Sequence, residues 1–351
     1  MAKLLCPASD PRWLELRRGG VTASDLPVIM GLVTWDSPWA LYHRKRGLLP
    51  ETVQTDRMRL GSWLEGSIAA EWERGAYNTA PGGLWQNEER PWQLATPDRT
   101  VWNPDVSPRA AGAIVAVLEC KTSATRDGWG DGQLFDGDGL LAQSDLVPAY
   151  VRAQVLWQMD TLDVPTGHVA VVFLPSGEYR SYTIGHEDGC QADRVETAVS
   201  CMACIDLALM REKAHEFYRR ITGDLGPPPV DHLTVTTRAL QEVYAGLDDT
   251  LQAEIDEELA DAWWTGRGLL KSAKNDEQLY TNLVREAMGK ASVATVHGEP
   301  VIRRTVSKRA GYEVAPGVQD KLTRIKAGRD DSASWTNDPD LRRAEERRNR
   351  D

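Results

Sequence analysis

The sequence predicts an α/β fold in which a mixed central sheet is flanked by helices and followed by a helical extension. Two apolar runs, at 113–121 and 168–175, have the continuous hydrophobicity of buried strands. Segments with apolar residues at helical spacing lie at 58–76 and 149–162. The chain has 351 residues, of which 41% are hydrophobic, so it can form a sizeable core with an addition.

The N-terminal part is predicted to consist of helical pieces around a polar loop, at 11–49. Asp10-Pro11 is a typical helix start with proline in the first turn. The stretch Thr22-Ala23-Ser24-Asp25 is typical of a turn and helix cap, which makes Ser24 a candidate N-cap. The helix at 58–76 carries an apolar stripe flanked by Glu65 and Glu71.

Further strands are predicted at 91–96 and at 179–184, the second as a hairpin partner of 168–175. The glycine- and aspartate-rich residues 124–146 are predicted to form a loop. A long helix at 188–220 is expected to end at Gly223, before the proline run at 227–229.

We predict three parts along the chain. A core covers residues 1–226, and an extension covers 230–325. The extension is expected to contain two helices separated by a break near Thr265–Gly268, which together form a helical hairpin, and then a small β-hairpin. Residues 326–351 hold seven bases and seven acids with few apolar residues, which is typical of a flexible tail.

Charge and cysteine usage narrow the class of protein. The formal net charge of −11 does not indicate a globally basic nucleic-acid binder. Residues 303–326 are locally basic, and such a patch can bind phosphate or be an ordinary solvated surface. No apolar run approaches the length of a membrane span, and the N-terminus does not resemble a signal peptide. Five cysteines without a regular framework fit a reducing compartment, so we expect an intracellular, soluble protein.

Acidic and basic residues cluster between 97 and 121. Pro97-Asp98 and Pro104-Asp105 precede the apolar run that ends in Glu119-Cys120-Lys121. Carboxylates on neighbouring strands can hold Mg²⁺, which prefers hard oxygen ligands and lowers the pKa of bound water. A lysine two residues after the second acid lies on the same strand face, where it can orient the attacking water. The pattern indicates a phosphodiester-hydrolysis site, although Glu119 and Lys121 alone also fit a strand that ends at the surface.

The order Pro97-Asp98 … Glu119-Cys120-Lys121 resembles the PD-(D/E)xK nuclease superfamily, and more closely the YqaJ-like phage recombinases, relatives of lambda exonuclease. The segments at 17–25, 39–47, 61–65 and 150–154 also resemble motifs of that family, over about residues 11–222. The resemblance implies a restriction-endonuclease-like core. Leu156 stands where the family often has a second glutamine, and Gln158 is an alternative for that place.

The resemblance also implies roles for individual residues. Asp98, Glu119 and the carbonyl of Cys120 would ligate metal, with Glu65 helping to hold a metal or its water. Lys121 would activate the water, and Gln154 would lie against the active-site face. The terminal phosphate of DNA would contact Ser24 and either Arg17 or Arg18. Of the two aspartates we favour Asp98, because Asp105 follows the turn signature Asn103-Pro104.

The resemblance implies a Mg²⁺-dependent exonuclease, with Mn²⁺ as a substitute, that degrades double-stranded DNA ends 5′→3′ and leaves single strands for an annealing protein. The cytoplasm of a bacterium or a phage-infected host is the expected location, and a homo-oligomer is left open. Two alternatives also stay open: a Cas4-like or restriction-type nuclease of the same fold, and an inactive factor that binds DNA ends.

Two further features remain from the sequence. Trp129 is a candidate for stacking on a base or wedging a duplex end. The cysteines Cys6, Cys190, Cys201 and Cys204 raise the question of an iron–sulfur cluster, but their spacing does not match the superfamily's cluster type. We therefore expect buried helix cysteines and no cluster.

Overall fold

The structure, a computed structural model, describes residues 2–75, 78–103, 105, 113–130, 134–136, 139–142, 146–185, 201–246, 250–297 and 299–304. The predicted tail at 326–351, nearly all of the basic stretch at 303–326, and Cys190 lie outside these residues.

Helices of very different length are distributed along the chain. They are α1 (Trp13–Arg18), α2 (Leu26–Ile29), α3 (Pro38–Lys45), α4 (Asp56–Glu73), α5 (Ala149–Leu162), α6 (Met202–Thr222), α7 (Thr234–Val243) and α8 (Glu257–Met288).

The strands form a central sheet and smaller ones. They are β1 (Ala2–Pro7), β2 (Val21–Thr22), β3 (Asn78–Pro81), β4 (Gly83–Asn87), β5 (Gln93–Ala95), β6 (Arg99–Trp102), β7 (Ile114–Ser123), β8 (Leu134–Asp136), β9 (Gly139–Ala142), β10 (Thr166–Phe173), β11 (Glu178–Gly185), β12 (Val293–Val296) and β13 (Glu299–Arg303). The predicted loop at 124–146 thus contains the short pair β8–β9.

The central sheet has five strands in the order β11-β10-β7-β6-β3. Its middle strands, β7 and β10, are parallel, whereas the remaining neighbours pair antiparallel. Helix α5 connects the two parallel strands, as a crossover between parallel strands requires. The predicted α/β class, with a mixed sheet flanked by helices, is therefore confirmed.

Both faces of the central sheet are covered by helices. On one face, α4 packs through Ile68 and Trp72 against Leu118 of β7. On the other face, α5 lies so close to β10 that a Cβ atom at Gly167 would approach Val155 to 2.3 Å. The largest fully buried side chain, Trp157, belongs to α5. Strand β7, which carries the predicted acid and lysine, thus runs through the middle of the core.

The second sheet, ordered β1-β4-β5-β2, brings the N-terminal segment beside the core. The predicted strand at 91–96 is β5, but it belongs to this sheet and not to the central one. The sequence analysis did not predict β6, which pairs with β7. Along the chain, Asp98 therefore lies after β5 of this sheet and directly before β6 of the central sheet.

A buried ionic network ties α5 to its surroundings. Asp160 of α5 accepts hydrogen bonds from Arg211 of α6, from Arg90, and from Gln93 Nε2 at 2.7 Å. Burial raises the pKa of Asp160, but the hydrogen bond and charge of Arg211 outweigh it, so the net pKa is lowered. The network holds the helix that supplies two site glutamines.

The chain divides into two compact units, Met1–Gly246 and Leu247–Asp351. Helix α7, which the sequence analysis assigned to the extension, lies in the first unit, where Ala239 packs with Trp39 and Leu49. The boundaries proposed from sequence at 226 and 230 stay predictions.

In the second unit the expected break near Thr265–Gly268 is absent, and that prediction is wrong. Helix α8 runs without interruption through Gly266 and Gly268, and both glycines face open space. Each glycine costs a helix only about 1 kcal/mol relative to alanine, which a helix of 32 residues can absorb. The strands β12 and β13 form the expected hairpin. No helix among the described residues combines the length and apolar character needed to cross a bilayer.

Candidate active site

The pairing of β6 with β7 brings Asp98 beside Glu119. Arg99 lies opposite Leu118 in the antiparallel register, so the residues before and after them are neighbours. The backbone N–H of Cys120 donates to Asp98 Oδ2 at 2.7 Å. Asp105 is exposed in a turn, where its N–H donates to Asn103 Oδ1 at 2.9 Å. Of the two aspartates, the structure thus places Asp98 next to Glu119.

Gly82 lies directly against the backbone of Asp98. Its N–H donates to the carbonyl oxygen of Asp98 at 3.1 Å. A Cβ atom at position 82 would lie 1.7 Å from the carbonyl oxygen of Pro97, which no side chain can do. The residue between β3 and β4 therefore has to be glycine for the 97–98 backbone to take this course.

Glu119 is buried and held at both carboxylate oxygens. Oε1 accepts from Lys121 Nζ at 2.5 Å and from Gln154 Nε2 at 2.6 Å, and Oε2 accepts from Gln158 Nε2 at 2.7 Å. The side-chain oxygen Oε1 of Gln154 accepts a hydrogen bond from Lys121 Nζ at 3.0 Å. The two glutamines lie one turn apart on α5 and face β7.

Burial and the mutual repulsion of the carboxylates shift the pKa values of the ionisable side chains in this cluster. Burial, and then the charges of Glu119 and Glu65, raise the pKa of Asp98 well above its usual range, against the opposing effect of Lys121. Burial lowers the pKa of Lys121, but the charges of Glu119 and Asp98 outweigh it and the net pKa is raised. Lys121 is therefore a protonated donor, and a further cation would relieve the remaining repulsion.

The oxygens of this cluster suit a hard divalent cation. Asp98 and Glu119 supply carboxylates, and the carbonyl of Cys120 lies between Glu119 and Lys121 along the strand. Glu65 Oε1 is engaged by Arg99 Nη1 at 3.0 Å. Within the described ranges, no group of three His, Cys, Asp or Glu side chains is arranged to hold a metal ion. The structure therefore offers two carboxylates and a carbonyl, while Glu65 as a ligand stays a prediction.

A cleft of about 310 Å³ adjoins the carboxylates and is rich in hydrogen-bond donors. Arg17 Nη2 donates to Ser24 Oγ at 2.7 Å, and the Arg17 guanidinium lies over the ring of Trp13. Buried Arg17 Nε, Trp13 Nε1 and Thr96 Oγ1 have no partner within the protein. The Arg17 guanidinium and the Ser24 hydroxyl line the cleft, and a cation beside a hydroxyl group suits an anionic ligand. The cleft is lined by Ala8, Trp13, Arg17, Thr22, Ala23, Ser24, Glu65, Pro81, Gly82, Thr96, Pro97, Asp98, Arg99 and Gln154.

The structure distinguishes the two candidate arginines. Arg17 lines the cleft, whereas Arg18 forms a salt bridge with Glu51 at 2.7 Å and is not among the lining residues. Ser24 is not a helix N-cap as predicted. Asp25 occupies the cap position of the four-residue helix α2, and its carboxylate accepts from the N–H of Thr22 at 2.7 Å. The hydroxyl of Ser24 is consequently free of a capping role and lines the cleft.

A buried lysine holds the segment that carries Arg17 and Ser24. Lys45 Nζ lies 2.6 Å from Asp25 Oδ2 and donates to the carbonyl oxygens of Arg17 and Gly20 at 2.9 and 2.8 Å. Three acceptors match the three hydrogens of the ammonium group. One buried cation thus joins both ends of the segment to helix α3.

Trp129 does not lie where the sequence analysis expected it. Its side chain is 8% exposed, and its ring packs edge-on against Phe173 and tilted against Tyr182. The prediction that it stacks on a nucleotide is therefore wrong, because the core already covers the ring. Among the cysteines that the structure describes, Cys6 and Cys120 are free thiols.

The structure places several residues in the site that the sequence alone did not identify. Arg99 follows Asp98 directly, and Thr96 lies two residues before it. Gln158 was left undecided, although its spacing of four from Gln154 places both on one helix face. Trp13 precedes Arg17 by the same spacing. Their proximity in sequence to predicted site residues was the available signal.

The fold and the donor set define a candidate hydrolytic site in an α/β domain. Residues 12–168 match the family model described as the YqaJ-like viral recombinase domain, so the resemblance expected from the sequence is confirmed over this segment. The chain is also 31% identical over 119 residues to the uncharacterized protein YqaJ of Bacillus subtilis (strain 168). That alignment covers 33% of this chain and about a third (34%) of the Bacillus protein.

Solved structures with a similar arrangement include two exonucleases. The crystal structure of LHK-Exo in complex with dAMP is 16% identical, with a TM-score of 0.42, and the match covers 61% of this chain and 94% of that one. LHK-Exo is an alkaline exonuclease from Laribacter hongkongensis. A phage-related exonuclease from Haemophilus somnus 129PT is 10% identical, with a TM-score of 0.34, over 59% of this chain and 96% of its own.

Proposed function

We propose that this protein is a phage-type DNA nuclease, and specifically a Mg²⁺-dependent exonuclease that degrades double-stranded DNA from its ends, 5′→3′. The observation that carries the proposal is the contact between two features. A carboxylate pair with its lysine, formed by Asp98, Glu119 and Lys121, adjoins a cleft lined by the donors of Arg17 and Ser24. The match to a viral recombinase domain supports this class.

The cleft explains how an end of DNA would be selected. A terminal phosphate has the negative charge and acceptor oxygens that suit the Arg17 guanidinium and the Ser24 hydroxyl, which both line the cleft. A strand whose terminal phosphate lies in the cleft would present a neighbouring phosphodiester to the carboxylates, because Asp98 and Glu65 line the same cleft. An enzyme of this geometry removes nucleotides from an end.

The residues around Glu119 would perform the hydrolysis. Asp98, Glu119 and the carbonyl of Cys120 would hold Mg²⁺, or Mn²⁺ as a substitute. When bound, the ion would supply an activated water and neutralise charge on the phosphate. Lys121, held by Glu119 and Gln154, would orient that water and donate to the charge that develops on the phosphate. Gln154 and Gln158 would keep Glu119 in position.

Degradation of end-labelled linear duplex tests the proposal. Wild type, Lys121→Met, Asp98→Asn and the matched control Asp105→Asn would be incubated with Mg²⁺, Mn²⁺ or EDTA. We expect metal-dependent release of 5′-labelled mononucleotide by wild type and Asp105→Asn alone. Release of 3′ label first would overturn the polarity, and loss of activity in Asp105→Asn alone would overturn the site.

The same assay separates the alternatives. Cleavage of covalently closed circular DNA would favour a restriction-type nuclease over an exonuclease. Binding of DNA ends without any cleavage would favour the inactive end-binding factor. A single-strand annealing protein as partner and a homo-oligomer belong to the proposal as well, and co-purification and light scattering test them.

A further inference from the structure

Arg99 is a cation inside the acidic site that the hydrolysis described above does not use. Its Nη1 lies 3.0 Å from Glu65 Oε1 and donates to the carbonyl oxygen of Asp98 at 2.8 Å. Only 18% of its side chain is exposed, and it lines the cleft together with Asp98. The guanidinium thus bridges the helix that carries Glu65 and the strand end that carries Asp98.

We propose that Arg99 takes the place of a second divalent cation beside Glu65, so that the site binds one metal ion. The inference rests on the proposed function only in taking Asp98 and Glu119 as the ligands of that ion. The second ion of a two-metal site lies about 3.5–4 Å from the first, and here Glu65, the further carboxylate that lines the cleft, is already paired with Arg99. The lack of a three-ligand cluster among the described side chains agrees with this.

The charges of the site favour one ion over two. When a bound cation keeps Asp98 ionised, the three carboxylates of Asp98, Glu119 and Glu65 face the two side-chain cations Lys121 and Arg99, so these five side chains carry one net negative charge. One divalent ion changes this to one net positive charge, which matches the single negative charge of a phosphodiester. A second ion would leave three positive charges in a small, partly buried site, where repulsion between like charges is strong.

Arg99 also differs from an ion in what it can do. Its guanidinium presents several N–H donors in a plane, and two of its contacts to the protein use Nη1 alone. Arg99 lines the cleft that we expect to hold the phosphates of a DNA strand, and we expect its other donors to contact those phosphates. An arginine here is permanently charged and stays in place when metal dissociates, so the Glu65 side of the site is complete without metal.

Counting bound Mn²⁺ by electron paramagnetic resonance tests this inference on the full chain without DNA. We expect one bound ion for wild type and for Arg99→Lys, because both keep the charge. We expect two for Arg99→Gln, because Glu65 is released, and one again for Arg99→Gln combined with Glu65→Gln. Circular dichroism of each variant shows that it is folded.

A count of zero or two for wild type, or of one for folded Arg99→Gln, would overturn the inference. The double variant Arg99→Gln, Glu65→Gln is a second test, because it removes one positive and one negative charge and so keeps the net charge of the site. If Glu65 does not ligate the ion, the Mn²⁺ affinity of this double variant stays within about twofold of wild type, and a tenfold loss would contradict the inference. Since no cleavage is measured, an inactive chain that binds one ion would refute the proposed nuclease and leave this inference intact.

Discussion

Gln158 donates from Nε2 to Oε2 of Glu119 at 2.7 Å, and its side chain is fully buried. Its side-chain oxygen Oε1 has no partner within the protein. A buried acceptor without a partner destabilises the folded state, and a glutamine with a purely structural role would not need to leave one. The residue is therefore better explained by what it does to Glu119 than by packing.

Gln158→Leu should weaken metal binding while the protein stays folded. Leucine has a similar volume, removes the donor to Glu119 and also removes the unpartnered carbonyl, so the two effects on unfolding free energy oppose each other. Loss of a hydrogen bond to a ligand carboxylate typically lowers metal affinity about 10–100-fold. Calorimetric titration with Mn²⁺ measures this, with Gln278→Leu on the exposed face of α8 as control. Unchanged affinity would show that Glu119 needs only Lys121 and Gln154.

Arg17→Gln should remove the preference for phosphorylated ends. A hydrogen bond to a charged group contributes about 1.5–3 kcal/mol, so the ratio of kcat/KM on 5′-phosphoryl and 5′-hydroxyl duplexes should fall roughly 10–100-fold. Arg18→Gln is the matched control, because Arg18 pairs with Glu51 outside the cleft and should change the ratio less than about twofold. If Arg18→Gln gave the larger effect, the assignment of the cleft would be wrong.

Lys45→Met should destabilise the protein by about 3–5 kcal/mol, because it leaves the buried carboxylate of Asp25 without its partner. The double variant Lys45→Met, Asp25→Asn should lose less than Lys45→Met alone, since no uncompensated charge then remains. Urea unfolding of the two single variants and the double variant measures the coupling. Simple additivity of the two losses would show that the ion pair does not hold the segment.

Trp129→Ala should cost about 3–5 kcal/mol of unfolding free energy, the range for removing a buried tryptophan. Trp63→Ala is the comparison, because Trp63 is 74% exposed and should change stability by less than about 0.5 kcal/mol. Thermal or urea unfolding of both variants decides between core packing and a surface role for Trp129. Equal, small effects would reinstate the stacking role that the structure contradicts.

His168 should make the protein less stable in acid. Burial beside Trp72 lowers the pKa of His168 from 6.5 to about 4. The imidazole of His168 therefore binds a proton below pH 6.5 in the unfolded chain but only below about pH 4 in the folded chain. The folded state consequently loses stability as the pH falls from 6.5 to about 4. At pH 5 the loss should be about 1–2 kcal/mol relative to pH 7, and His168→Gln should abolish it. Identical pH profiles of wild type and variant would contradict the shift.

The strands and helices that the sequence predicted well are those with a strong period. Helix α5 has the bounds expected for it, and β7 and β10 follow the two apolar runs. Strand β6 was missed because its four residues carry no alternation long enough to recognise. Helix α8 was divided wrongly because two glycines were weighed without the length of the helix around them.

In the candidate site, too, the sequence identifies residues of a local motif but does not identify residues whose partners are distant along the chain. Asp98, Glu119, Lys121 and Gln154 could be assigned because their motif is local or lies one element away. Arg99 could not be assigned, because its partner Glu65 lies on α4, which only the folded chain brings to the strand end. Trp129 was misplaced because a glycine-rich neighbourhood suggested exposure, whereas packing against Phe173 and Tyr182 decides its burial.

Gly82 contributes no functional group, yet the 97–98 backbone can follow its course only because nothing projects from position 82. The site therefore depends on an empty space as much as on its reactive atoms. Natural variation could exchange many surface residues around the cleft, but at this position even one methyl group would displace the 97–98 backbone and with it the Asp98 carboxylate. The carboxylate arrangement of the protein is thus vulnerable at a residue that has no side chain to offer a substrate.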